Sequence, residues 1–250
     1  MSEYPAILGV FSLRRIDEVG TGATQSRHNQ LTYWYARQLE QTLVELQPLN
    51  VYHVPSGIKK KSVLDDFLRA YTPEPRYYEA NTVPALRSLK TKIDQGEKLF
   101  SMGLLDDAEK AFLKALMIDE MNVPANYGLG DVYTEQKDFL KLRKVLDVLM
   151  GLNDAFSNEY RQKLNTFGIN LRKQGCLAES IEFFNKALEI QKDDEHIYFN
   201  LARAHFDKGE LDKCLGNLNI AAALNPAFAE ARKFIAYCEK MSPQCGVGSS

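Results

Sequence analysis

A spacing of 34 residues organises the chain from about residue 85 onward and limits its fold more than any other feature. One copy runs Gly103-Leu-Leu-Asp-Asp-Ala108-Glu-Lys-Ala-Phe112-Leu-Lys-Ala115-Leu. Gly175, Ser180, Phe184 and Ala187 fall on the same pattern, as do Gly209, Cys214, Leu218 and Ala221, the last copy closing with Leu224-Asn225-Pro226. Lys137 stands where a glycine would, 34 residues after Gly103, ahead of Phe139, Leu142, Leu146 and Leu149. From Lys137 to Gly175 the spacing is 38, which places four extra residues near 157–160. Upstream of each turn position lies a second apolar stripe with a small residue inside it: Gly96–Leu99, Leu129-Gly130–Tyr133, Phe167-Gly168–Leu171 and Leu201-Ala202–His205. Both stripes keep helical periodicity, so each unit is expected to be a helix, a tight turn and a second helix. The small residues let the two helices approach, and acidic residues opening the second helix suit its positive end. Such a chain builds its core by stacking units.

This pattern of large residue, Leu-Gly, Tyr, Ala, Phe, Ala and Pro resembles the tetratricopeptide repeat (TPR) family, over about residues 85–240. The units fall at 89–122, 123–156, 161–194 and 195–228, the last matching best, from Tyr198 and Leu201-Ala202 through Ala221 and Pro226. The resemblance implies an all-α, right-handed solenoid of helical hairpins. Residues 227–241 keep first-helix spacing at Ala231, Phe234, Ile235 and Cys238 with no second helix after them, as a capping helix would. Residues 242–250 are expected to be a flexible tail.

In that family the first helix of each unit lines a concave face that binds peptides. Counting the family's positions onto this chain gives Tyr127, Asp131, Asn165, Arg172, Phe199 and Arg203 as the groove candidates. Rings bury apolar side chains of a ligand, and arginines pair with carboxylates. The implied function is that of a non-catalytic adaptor or scaffold for a protein or peptide partner. One subfamily can be argued against: the clamp for chaperone C-terminal carboxylates needs Lys and Asn where this chain has Ile93 and Glu97, Asn where it has Gly128, and Lys and Arg where it has Gln162 and Thr166.

Residues 1–88 follow no period. Leu31, Trp34, Tyr35, Leu39, Leu43 and Leu46 form an apolar stripe that predicts a helix near 29–47, capped by Asn29 and ended by Pro48. Ser62-Val-Leu-Asp65 predicts a second helix over 62–71. The rest reads as irregular and partly extended. Two helices bury little surface, so this region is expected to pack against the solenoid. Gly20-Thr-Gly-Ala-Thr24 invites a nucleotide-binding alternative, but the Lys-Ser/Thr pair of a phosphate loop is missing. A third possibility makes residues 1–28 a tethered ligand that occupies the groove.

Composition removes other classes. Lys plus Arg number 31 against 33 Asp plus Glu, and no strong positive excess lies on either side of residue 88, which argues against nucleic acid. The longest apolar runs, 7–11 and 220–224, are far short of a membrane span. Residues 1–20 carry the reverse charge order of a secretory signal. Cys176, Cys214, Cys238 and Cys245 form no C-x-x-C pair, and of the histidines His28, His53, His196 and His205, the first two sit in loops with no spaced carboxylate partner. No metal, cofactor or catalytic residue is therefore expected, and a reducing cytoplasmic setting fits. Cys176, Cys214 and His205 are expected to pack inside the repeats.

Overall fold

The computed structural model describes residues 7–19 and 26–241. The chain divides into two compact units, Met1–Ala125 and Asn126–Ser250.

The first unit is built on a five-stranded antiparallel sheet in the order β4-β3-β2-β1-β5. Its strands are β1 (Leu8–Val19), β2 (Ser26–Glu40), β3 (Leu43–Pro48), β4 (Lys60–Val63) and β5 (Thr72–Pro73). The helix expected over 29–47 is therefore replaced by β2, a turn at 41–42 and β3. Thr32-Tyr33-Trp34-Tyr35 favours the pleated surface, and β1 pairs with β2 from Leu8↔Arg37 to Val19↔Ser26. Ala36, Val44 and Leu46 point to one side and, with Phe67, form a fully buried cluster on which Ile7, Phe11, Trp34, Leu64 and Tyr71 pack. The region thus has an apolar core of its own. Phe67 comes from α1 (Leu64–Ala70), which lies within the stretch expected to be helical. Within the candidate tethered ligand, residues 8–19 and 26–28 are strand residues of the β1–β2 ladder. Residues 20–24, the candidate nucleotide loop, lie outside the described residues; the elements flanking them are two antiparallel strands, with no helix following.

Helical backbone then runs without a break from α2 (Pro75–Tyr77) through a π-helical turn (Tyr78–Thr82) into α3 (Val83–Ser101). Pro84 has no N–H for residue 80 and its ring crowds that carbonyl, a conflict that a wider turn relieves. Tyr78 packs on the sheet, its ring against Tyr35 (6.3 Å between centroids) and 3.9 Å from where a Cβ on Gly9 would stand. α3 pairs with α4 (Leu105–Leu116) as the first hairpin. The boundary expected at residue 88 falls inside α3. The loop after β3 is tied to these helices as well: Asn50 Nδ2 donates to the Ile118 carbonyl just past α4 (2.7 Å), and His53 Nδ1 shares a 2.7 Å hydrogen bond with the Tyr77 hydroxyl on α2.

The second unit is all helical among its described residues. α5 (Val123–Gln136) enters it, followed by α6 (Phe139–Gly151), α7 (Arg161–Lys173), α8 (Leu177–Ile190), α9 (Glu195–Asp207), α10 (Leu211–Leu224) and α11 (Ala229–Met241). The turn positions behave as their spacing requires: Gly103, Gly175 and Gly209 have φ of +75°, +83° and +82°, and Lys137 adopts the same left-handed region at +58°. The four extra residues are taken up by two 3₁₀ turns, Asn153–Phe156 and Asn158–Tyr160. Ring packing forms the core, with Phe183 among Tyr127, Phe156, Phe167 and Phe184 at centroid distances of 5.1–6.3 Å. At the C-terminal end α11 covers α9 and α10, burying Ala202, Cys214, Leu218 and Cys238 completely.

Candidate functional site

The first helices of the last three hairpins, α5, α7 and α9, are stitched side to side by polar side chains. Asn170 Nδ2 on α7 donates to Asp131 Oδ1 on α5 (3.0 Å), and Gln174 Nε2 reaches the Glu135 carboxylate at 3.3 Å. From α9, Asn200 Nδ2 donates to Asn165 Oδ1 on α7 (2.9 Å), while Arg172 on α7 forms an ion pair with Asp207 on α9. These rungs span 39 residues where the insertion intervenes and 35 where it does not. Each one thus joins a repeat position to the next position in the following unit.

Five of the six groove candidates lie on this strip: Asp131, Asn165, Arg172, Phe199 and Arg203. Tyr127 does not. It is 1% exposed, its hydroxyl donates to the Ala155 carbonyl (2.7 Å), and its ring meets Phe167 edge-on at 5.6 Å. Tyr127 is a core residue. Reading family positions alone missed Asn170, Gln174, Asn200 and Asp207; looking for polar pairs one residue off the repeat period would have found them.

Electrostatics differ along the strip. Burial pushes the Asp131 carboxyl up to about 6, with Asn170 and Lys163 opposing the rise and Glu135 adding to it. Arg172 is almost covered, its side chain 9% exposed against Asp207. Arg203 is half-buried, its guanidinium carbon 5.9 Å above the Phe199 ring, and among the described residues it makes no ion pair. Burial and then the neighbouring Arg172 charge lower its pKa. Phe199 lies 5.0 Å from Phe228 and 6.2 Å from Phe234.

A pH dependence follows from Asp131. The folded chain binds this proton more tightly than the unfolded chain, whose carboxyl titrates near about 4. The stability contributed by Asp131 is therefore full below pH ~4 and is lost as the pH rises through the folded value of about 6. Asp131→Asn, which keeps an acceptor for Asn170, should stabilise the protein by about 1–2 kcal/mol at pH 7.5 and change it little at pH 4. Urea titrations of both chains at the two pH values check this; equal effects at both would remove the burial argument.

The remaining sequence candidates have structural positions. His205 is buried with Nδ1 2.7 Å from Glu210 Oε2, and Cys176 and Cys214 are buried. Cys245 lies outside the described residues. Among those residues, no group of three or more His, Cys, Asp and Glu side chains could hold a metal ion. No helix of the described residues is long and apolar enough to cross a membrane.

The helical hairpins have the left-handed turn residues and small-residue crossings that the resemblance to tetratricopeptide repeats implied. No protein-family model matches the chain, and no curated protein is found to be similar to it. Among solved structures, PilF of Pseudomonas aeruginosa is 16% identical with a TM-score of 0.48, covering 62% of this chain and 69% of its own. MamA from Desulfovibrio magneticus RS-1, from residue 41 to its end, is 14% identical with a TM-score of 0.46, covering 62% and 85%. YrrB, described as a TPR protein with an unusual peptide-binding site, is 20% identical with a TM-score of 0.28, covering 57% and 89%.

Proposed function

We propose that the chain is a non-catalytic adaptor that holds an extended segment of a partner protein along the strip formed by α5, α7 and α9. The carrying observation is the ladder itself. Asp131, Asn165 and Arg172 are each fixed by a partner on the adjacent helix, so the strip offers ordered polar groups beside the half-buried Phe199 and Arg203. Preordered donors, acceptors and rings lower the entropy lost when a peptide docks. Exposed apolar groups on the outer helices, such as Leu140 at 83%, have no such setting.

Photo-crosslinking tests the location. With benzoylphenylalanine in place of Phe199, extract of the source cell should yield covalent adducts with a partner that are absent when the probe replaces Leu140. Adducts from position 140 alone, or equally from both, would place binding elsewhere on the chain.

A further inference from the structure

We infer that Arg203 anchors an acidic side chain, Asp or Glu, carried inside a partner segment with apolar residues on both sides of it. The inference rests on reading the α5–α7–α9 strip as the binding surface and names the chemistry that surface selects. The first ground is charge balance. Two guanidinium groups, Arg172 and Arg203, stand near one carboxylate, Asp207, and Arg172 takes it. Arg203 is left half-buried beside a like charge, with no ion pair among the described residues. A cation withdrawn from water gains most from a counter-charge. Its planar fork matches a carboxylate through two parallel N–H···O bonds.

The second ground is orientation. The Phe199 ring beneath the guanidinium holds its plane, an attraction between cation and ring face. With Asp207 already engaged, the fork is available to a ligand.

The third ground says where the carboxylate sits in the ligand. Aromatic surface flanks Arg203 in both directions along α9. One turn before it is Phe199, packed with Phe228; one turn after it is Phe206, 5.1 Å from Phe234 and 5.9 Å from Tyr237. A ligand that ended at the anion would leave one of these surfaces uncovered. The carboxylate is therefore a side chain within the segment.

The test is peptide selection by the full-length chain from a random library, displayed in one arm between blocked ends and in another with free C-termini. The wild-type chain should enrich Asp or Glu at one position, flanked by apolar residues, in the blocked arm. Arg203→Glu should switch that position to Lys or Arg. Changing the selected acid to its amide should weaken binding to the wild type about tenfold, the scale of one charge-assisted bond, and leave binding to Arg203→Gln unchanged. The amide comparison on the unaltered wild type keeps the test valid if a substitution at 203 impairs folding. Selected peptides without acidic preference, acidic preference that survives in Arg203→Gln, or enrichment only of free C-termini would overturn the inference while leaving the binding strip intact. A chain of unchanged helical content that selects no peptide in either arm would instead overturn the strip reading, and the inference with it.

Discussion

Phe183→Ala is expected to destabilise the protein by about 4 kcal/mol, within the range of 3–5 measured for buried Phe-to-Ala changes. Phe183 is wholly buried on α8, and its ring meets Phe156 at 5.1 Å, Phe167 at 5.2 Å, Tyr127 at 6.2 Å and Phe184 at 6.3 Å. Its four neighbours come from α5, the 3₁₀ turn, α7 and α8 itself, so no single side chain can swing in to fill the gap. The loss combines apolar transfer with the cavity left behind. Against a typical total stability of about 5–15 kcal/mol, that is a large share. Urea unfolding followed by circular dichroism at the helical band should show the midpoint falling steeply. Phe183→Leu, which keeps most of the volume, should lose roughly half as much. A cost below about 1 kcal/mol for the alanine variant would mean that the rings do not form one packed cluster.

Gly168→Val should cost about 3 kcal/mol, for the opposite reason. A Cβ on Gly168 would lie 2.4 Å from Phe184 Cζ and under 3 Å from two further ring atoms. The Phe184 ring is fully buried and cannot move aside cheaply. Forcing α7 and α8 apart also stretches the bond from Ser180 Oγ to the Gly168 carbonyl (2.9 Å), a buried stitch between the same two helices. Because glycine and ring occupy one space, the double variant Gly168→Val with Phe184→Ala should be more stable than the sum of the two single losses predicts. Thermal melts of the four chains measure that coupling. Strict additivity would show that the crossing is not held by this contact.

The helical hairpins were legible because their signals are local. A left-handed turn residue, a small residue at a crossing and a ring or leucine nine positions past the turn recur from unit to unit, and stacking repeats the same contacts. The sheet was not legible for the converse reason. The stripe from Leu31 to Leu46 has helical spacing, yet what decides its conformation is the ladder to residues 8–19, which no short window contains. Tyr127 was misplaced by position counting because the 3₁₀ turn Asn153–Phe156 changes its surroundings. That turn brings Phe156 into the ring cluster and aims the Ala155 carbonyl at the tyrosine hydroxyl, so the ring is held inward. The arginines were identified by position, but their division of labour was not. That Arg172 is spent on Asp207 while Arg203 is not depends on an ion pair between helices 35 residues apart in sequence.

The unbroken helical run from Pro75 to Ser101 bears on how the first unit can be dissected. A protease needs several residues of extended backbone in its cleft, and none is offered between the segment that pads the sheet and the first repeat helix. A fragment begun or ended at residue 88 would carry half a helix with raw ends, stripping α3 of the turns that Tyr78 fastens to the sheet. A fragment that keeps the β-sheet and the first repeat hairpin together is expected to end in the turn before α5, at about Asn122, next to the boundary of the first compact unit.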